Sequence, residues 1–353
     1  MKNCISTNIL RTLLSMKFSE GIKNFFFSYG LIVLGVFFLF VGSVSFTSQN
    51  KNFIQFPRAG ERPLLGGDVA LENFPASQPV VPLSKVPGEY SGQFTASTVL
   101  AVDDGTGTVL FQKNGGAIRP LASLTKLMTA MALLDLPLNW QATTTIIKED
   151  NEVDSHFINE GEIFSLDDLW HVALIGSSNG AISALVRNTG LTTEEFTRRM
   201  NRQASELGLK TARFVEPTGL DDGNVASAED ISKLLKEALR FDKIYKTLQV
   251  GEYYARPLNK NKPRRVWSTD WLLTKWIPSD FKPEDIAGKT GYISSSLYNF
   301  AVRLSDPQSH AIRVVVLGAA SNEARFMEAR DLAKWLFDHY VWPDEEGYNK
   351  LTE

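Results

Sequence analysis

The chain has 353 residues, of which 43% are hydrophobic and 22% charged, and a formal net charge of −3. This composition excludes a disordered or fibrous protein and fits one sizeable globular domain with extra segments. The small net charge also argues against nucleic acid as the main partner, because phosphate binding needs a concentrated basic surface.

Lys2, Arg11, Lys17 and Lys23 precede an uncharged run from Phe25 to Phe46. A run of about 22 apolar residues can cross a hydrocarbon core as a helix. Positive charge stays on the cytoplasmic side, so the sequence predicts a cytoplasmic tail over 1–24, a transmembrane signal anchor over 25–46 and a translocated remainder. A cleaved signal peptide is the rival, with Gly42, Ser43 and Ser45 as a weak cleavage site. The run exceeds the ~7–15 apolar residues usual there, which favours the anchor. The single cysteine, Cys4, lies before the run. The translocated part therefore has no disulfide and no thiol chemistry.

From 47 to 92 the chain is punctuated by Pro57, Pro63, Pro75, Pro79, Pro82 and Pro87. Such a composition reads as an extended extracytoplasmic linker, at about 3.1 Å per residue and up to roughly 140 Å long, part of which can lie against the domain. A catalytic domain is expected over 93–342 and a short tail over 343–353.

Two strands open the domain, Thr98 to Val102 and Thr108 to Gln112, around an Asp103 to Gly107 turn. From Ser123 the period changes, with Leu124, Leu127, Met128, Met131 and Leu134 at helical spacing. A second helix starts at Ser165, with Asp168 completing a capping box, and ends near Gly176. Further helices are expected at Thr193 to Leu207 and Ala228 to Leu239. Lys260, Lys262, Arg264 and Arg265, around Pro263, read as a solvated loop. Trp267, Trp271 and Trp276 read as core, with an aromatic wall beside a cleft as the alternative. Tyr298 to Leu304 and Ala311 to Leu317 form adjacent strands, and Asn322 to Tyr340 a helix with Phe326, Leu332, Ala333, Leu336 and Phe337 on one face. Helices and antiparallel strands mix without regular alternation, which is an α+β pattern.

Three short motifs occur in order: Ser123-Leu124-Thr125-Lys126, Ser177-Ser178-Asn179 and Lys289-Thr290-Gly291. Each is weak alone, since Ser48-Gln49-Asn50-Lys51 imitates the first. Context separates them, because Ser123 follows Pro120 and opens an amphipathic helix. Positions i and i+3 share a helix face, so the Lys126 amine can reach the Ser123 hydroxyl. A serine is a poor nucleophile until a neighbour removes its proton, and a lysine can do so when desolvation or a nearby cation keeps it neutral. Lys289 is a candidate for that cation. The helix N-terminus aims backbone N–H groups at the site of a tetrahedral anion. Ser177 and Asn179 are expected on a loop after Gly176. Lys289-Thr290-Gly291 is expected on an edge strand, with Gly291 admitting a substrate backbone.

With these motifs the chain resembles the low-molecular-weight penicillin-binding proteins, the serine D-alanyl-D-alanine peptidases. The likeness covers roughly Ser97 to Tyr340, including Arg119-Pro120-Leu121-Ala122 and Phe214-Val215-Glu216-Pro217-Thr218-Gly219-Leu220-Asp221. It implies the DD-peptidase and serine β-lactamase fold, an antiparallel sheet flanked by helices with a helical subdomain. The implied activity is serine D-Ala-D-Ala carboxypeptidase action on peptidoglycan stem peptides, with β-lactams as covalent inhibitors. In residues, the resemblance implies Ser123 as acylated nucleophile, Lys126 as base, Ser177 as proton shuttle and Asn179 as holder of the substrate amide. It further implies Lys289 as electrostatic support, Thr290 and Arg325 as carboxylate contacts, and an oxyanion hole from the N–H groups of Ser123 and Tyr292. Two departures from the family pattern are Ser178 followed by Gly180 in the second motif and the short stretch of chain beyond Tyr340.

Cross-link cleavage, as in the endopeptidase members, is the alternative activity, and the Phe214 to Asp221 segment leans that way. A class A β-lactamase would need a glutamate in a Glu-x-x-Leu-Asn arrangement, whereas Glu216 is followed by Gly219 and Leu220 at those positions. An inactive wall-binding or β-lactam-sensing module conflicts with the intact Ser123, Lys126 and Lys289. His156, His171, His310 and His339 have no metal spacing, so no metal and no cofactor is expected.

Overall fold

A computed structural model describes residues 80–85, 90–151 and 156–351. The tail at 1–24, the anchor at 25–46 and most of the linker lie outside the described residues. Among the described residues no helix is long and apolar enough to cross a membrane.

Five strands build the central antiparallel sheet: β1 (Thr98–Asp103), β2 (Val109–Lys113), β3 (Ile286–Ile293), β4 (Leu297–Ser305) and β5 (Ala311–Ala319). Their spatial order is β3-β4-β5-β1-β2, which leaves β3 at one edge. The period of two divides the buried strands between two cores. Val99 and Ala101 of β1, with Val314 and Val316 of β5, face one side. Leu100, Val102, Val315 and Leu317 face the other. This is why Ala311–Ala319 reads as a continuous apolar run and is buried at every position.

One face carries helix α7 (Asn322–His339), whose Phe326, Ala329, Leu332, Ala333 and Leu336 complete the first core. The other face carries the larger helical layer, α1 (Thr125–Leu134), α2 (Leu166–Ile175), α3 (Asn179–Arg187), α4 (Thr193–Glu206), α5 (Ala228–Leu239) and α6 (Asp242–Leu248). Side-chain oxygens of Ser165, Ser178, Thr192, Ser227 and Ser321 cap the starts of α2, α3, α4, α5 and α7, which ends the competition between helix and loop at each boundary.

Part of the 47–92 segment lies against the domain, where Leu83–Ser84 pairs with Tyr340–Val341 and Tyr90 packs on Phe94, Phe111 and Trp335. Three expectations need correcting. The segment after 342 is no free tail, since Tyr348 is buried and donates its hydroxyl to the Val81 carbonyl at 2.7 Å, while Asp344 meets His310 at 2.9 Å. Arg264 and Arg265 lie on a strand, not in the basic loop. Arg264–Trp267 pairs with Glu252–Ala255, Arg265 is held by Glu252 across that ribbon, and Arg264 forms a two-pronged bridge to the buried Glu162. The tryptophans separate as well. Trp271 stacks on Phe326 in the core, whereas Trp267 and Trp276 are exposed.

Candidate active site

Ser123 is placed by a segment held from three directions. Arg119–Pro120 pairs with Val225–Ala226, the Leu121 N–H donates to the Asn224 carbonyl at 2.9 Å, and the Asn299 amide donates to the carbonyls of Pro120 and Leu121 at 3.0 and 3.2 Å. Ala122 takes the left-handed region with φ 49°, a conformation a Cβ disfavours and its surroundings must hold. A 3-10 turn over Ala122–Leu124 then feeds α1, so Ser123 stands just ahead of the helix with its side chain half-buried.

One turn on, Lys126 is fully buried, and its Nζ contacts Ser123 Oγ at 2.8 Å, Asn179 Oδ1 at 2.6 Å and the Thr218 carbonyl at 2.6 Å. The first and second motifs thus meet at a single nitrogen. Ser177 turns the chain between α2 and α3 at φ 60°, and its Oγ accepts from Lys289 Nζ at 2.8 Å. Asn179 is the first residue of α3 and buried, so the expectation that it sits on a loop holds only for Ser177. The reason is Ser178, whose hydroxyl caps α3 by accepting from the Ala181 N–H at 3.3 Å.

Lys289 lies on the edge strand β3 and is itself buried. Burial, followed by repulsion from Lys126 and Arg325, holds its amine well below the usual lysine range, with Asp270 opposing. A cleft that already takes one ammonium admits a second only against both desolvation and repulsion, so at least one of the two lysines is driven toward the neutral form a base requires. Thr290 is buried on the same strand, its hydroxyl 2.6 Å from that of Thr269.

Gly291 also permits a close approach within the molecule. A Cβ there would stand 2.6 Å from the Leu121 carbonyl oxygen and 3.1 Å from the Ser123 nitrogen. The missing side chain lets β3 close on the backbone of the Ser123 turn. Gly291→Ala should push the strand off that turn, costing about 1–3 kcal/mol of stability. Slowed Ser123 acylation and a lower Tm in a thermal melt would accompany each other, and an unchanged acylation rate would remove the packing role.

Tyr292 is exposed and stacks on Tyr298 at 4.4 Å. Arg325 is buried on α7 behind the strand. Its Nη1 donates to the carbonyls of Gly291 and Asn299 at 3.0 and 3.1 Å, and its Nη2 donates to Asn322. Burial lowers its pKa to about 10, against the pull of Asp270. Glu328 does not pair with it, because that carboxylate accepts from Thr95 and Ala96.

Several contributors were not legible as site residues. The Thr218 carbonyl that receives Lys126 belongs to a loop tied by Glu216, which accepts from the N–H groups of Thr218 and Gly219 and from the Asn224 amide at 2.5, 2.5 and 2.6 Å. With these oxygens engaged in the loop, Glu216 is a cross-link that fixes the segment carrying the Thr218 carbonyl. The block from Phe214 to Asp221 signalled this loop, but no spacing marked Thr269 or Asn299. Among the described residues no cluster suited to a metal ion occurs.

The geometry can be set beside known proteins. The peptidase family S11, described as D-alanyl-D-alanine carboxypeptidase, matches residues 84–321. A D-alanyl-D-alanine endopeptidase of Pseudomonas aeruginosa is 30% identical over 249 residues, covering 69% of this chain and 78% of the relative. The D-alanyl-D-alanine carboxypeptidase DacF of Bacillus subtilis is 28% identical over 69% of this chain and 63% of its own length. In fold, the crystal structure of the Streptomyces K15 DD-transpeptidase superposes with a TM-score of 0.64 at 22% identity, over 71% of this chain and all of that one.

Proposed function

The chain belongs to the D-alanyl-D-alanine carboxypeptidase family of serine peptidases, and from that premise we propose that it removes the terminal D-alanine of peptidoglycan stem peptides through an acyl-enzyme at Ser123. The observation that carries the residue assignment is the buried Lys126 amine, 2.8 Å from the Ser123 hydroxyl and held there by Asn179 and Thr218.

Lys126 takes the hydroxyl proton as Ser123 Oγ attacks the carbonyl carbon of the penultimate D-alanine. The backbone N–H groups of Ser123 and Tyr292 receive the developing oxyanion. Asn179 orients the substrate amide, and Ser177, bridged to Lys289, passes a proton to the leaving amine as the C–N bond breaks. Water then cleaves the ester and restores Ser123. Thr290 and Arg325 meet the substrate's free carboxylate. A β-lactam enters the same path through its strained amide and stops as an adduct.

A second activity has its own support. A groove of about 830 Å³ opens beside Thr218, lined among others by Glu149, Arg187, Leu220 and Asp221, with room for another peptide strand. The P. aeruginosa relative is an endopeptidase. Incubating the catalytic domain with a defined pentapeptide and with a cross-linked dimer separates the two activities. Free D-alanine from the first substrate alone establishes the carboxypeptidase. Monomers from the second alone would replace it with the endopeptidase.

Location is likewise a proposal. The Lys and Arg bias ahead of the apolar run at 25–46 supports a single-pass anchor in the cell membrane, with the catalytic domain outside the cytoplasm. A reporter that works only outside the cytoplasm should be active when fused after Thr47. A mature N-terminus near Val44 or Phe46 would instead mean a cleaved leader and a released enzyme.

A further inference from the structure

Behind strand β3 lies a carboxylate that the steps above do not use. Asp270 is 2% exposed. Its Oδ1 accepts from the N–H groups of Leu272 and Leu273 at 2.9 and 3.2 Å, while Oδ2 has no hydrogen-bond partner among the described residues. A Cβ on Gly288, the residue before Lys289, would lie 3.0 Å from that free oxygen. The oxygen therefore rests against the foot of the Lys289-Thr290-Gly291 motif. Two buried basic groups on different elements lie within its electrostatic reach, Lys289 on β3 and Arg325 on α7, and Lys126 on α1 acts on Lys289 in turn. The Nε of Arg325 also has no partner among the described residues. A bare buried carboxylate is costly, and so are two buried cations without a counter-charge, but together they offset one another.

The residue before Asp270 makes two further links. Thr269 donates its N–H to the Ile175 carbonyl at 3.1 Å, at the end of α2 just ahead of the Ser177 turn. Its hydroxyl shares the 2.6 Å hydrogen bond with Thr290. Two consecutive residues thus connect the second motif, the third motif and the charge behind Lys289.

We propose that Asp270 and Thr269 form a positioning pair for this reaction: Thr269 sets the spacing between the Ser177 turn and β3, and Asp270 supplies the counter-charge that keeps Lys289 and Arg325 fit to receive a carboxylate-bearing peptide. The pair rests on the assignment of the cleft as a D-alanyl peptidase. Burial raises the Asp270 pKa to about 6, against the Leu273 and Leu272 N–H groups and the two cations. The counter-charge is therefore present above about pH 6 and lost below it.

Asp270→Asn keeps the shape and the Oδ1 acceptor but cannot ionise. The measurement is kcat/KM on the pentapeptide from about pH 5 to about pH 8, alongside penicillin adduct formation. The wild type should lose activity as the pH falls through about 6. The Asn variant should be about tenfold weaker at the alkaline end, mainly through KM, and should lack that inflection. Thr269→Val should also lose activity, and Thr269→Ser should recover it. An Asn variant that keeps both the inflection and the wild-type KM overturns the role of Asp270. If that variant fails to fold in a thermal melt, the Thr269 series decides, and equal activity of its three forms overturns the pair. A wild type that forms no penicillin adduct would sink the peptidase assignment first and the pair with it, whereas an adduct together with unchanged variants sinks the pair alone.

Discussion

Ser123→Ala should yield no covalent adduct with penicillin by intact mass, and no D-alanine from the pentapeptide, where the wild type gains a single adduct. The variant removes one oxygen from a half-buried position and leaves the Lys126 contacts to Asn179 and Thr218 in place, so it should fold. Lys126→Ala tests the other half of the pair. Removing a positioned base typically costs ~10²–10⁴-fold, and the loss should appear in the acylation rate at neutral pH. The vacated site also leaves the Asn179 amide oxygen and the Thr218 carbonyl without their buried donor, so some stability should go too. A folded Lys126→Ala that acylates at the wild-type rate would transfer the role of base elsewhere, with Lys289 the next amine in the cleft.

Capping the substrate's carboxylate as an amide should cost the wild type heavily and Arg325→Ala hardly at all. A hydrogen bond to a charged group is worth ~1.5–3 kcal/mol, or about 10- to 150-fold in kcat/KM. The informative quantity is the coupling in a cycle of two proteins and two substrates, which cancels any general damage from the substitution. Such cancellation matters here because Arg325 also donates to the carbonyls of Gly291 and Asn299 and so ties α7 to two strands. If capping costs both proteins equally, Arg325 is only that strut, and Thr290 alone reads the carboxylate.

The sequence carried most of the sheet because its central strands are buried on both faces and read as apolar runs. Ala311–Ala319 and Leu297–Ser305 each extend the expected span by one or two residues at an end. Helix starts were legible where a Ser or Thr caps them, as at Ser165. The ribbon of Glu252–Ala255 with Arg264–Trp267 was not, because its two arginines look like a solvated loop until Glu252 and Glu162 are seen opposite them. In the cleft, short-range spacing placed Lys126 beside Ser123. The contacts that hold the Ser123 turn and Lys126 cross 179 positions to Asn299 and 92 to Thr218, a separation at which no local pattern survives. Ser177 and Lys289 lie 112 positions apart, and only resemblance to a family brought them together beforehand.

Leu83–Ser84 lies in register with Tyr340–Val341, and Tyr348 reaches Val81, so the two ends of the catalytic domain are neighbours in space. Connectivity can then be separated from architecture. A short bridge from Leu351 back to Val80 would close the domain into a ring, and a new opening at the exposed Leu258 to Lys262 turn would cut no strand of the central sheet. In such a circular permutant Lys289 would be synthesised before Ser123, and Ser123 before Ser177. The three motifs would meet at the same nitrogens, but their order along the chain, which serves to identify such enzymes, would be scrambled. That order belongs to the chain's ancestry and not to its chemistry.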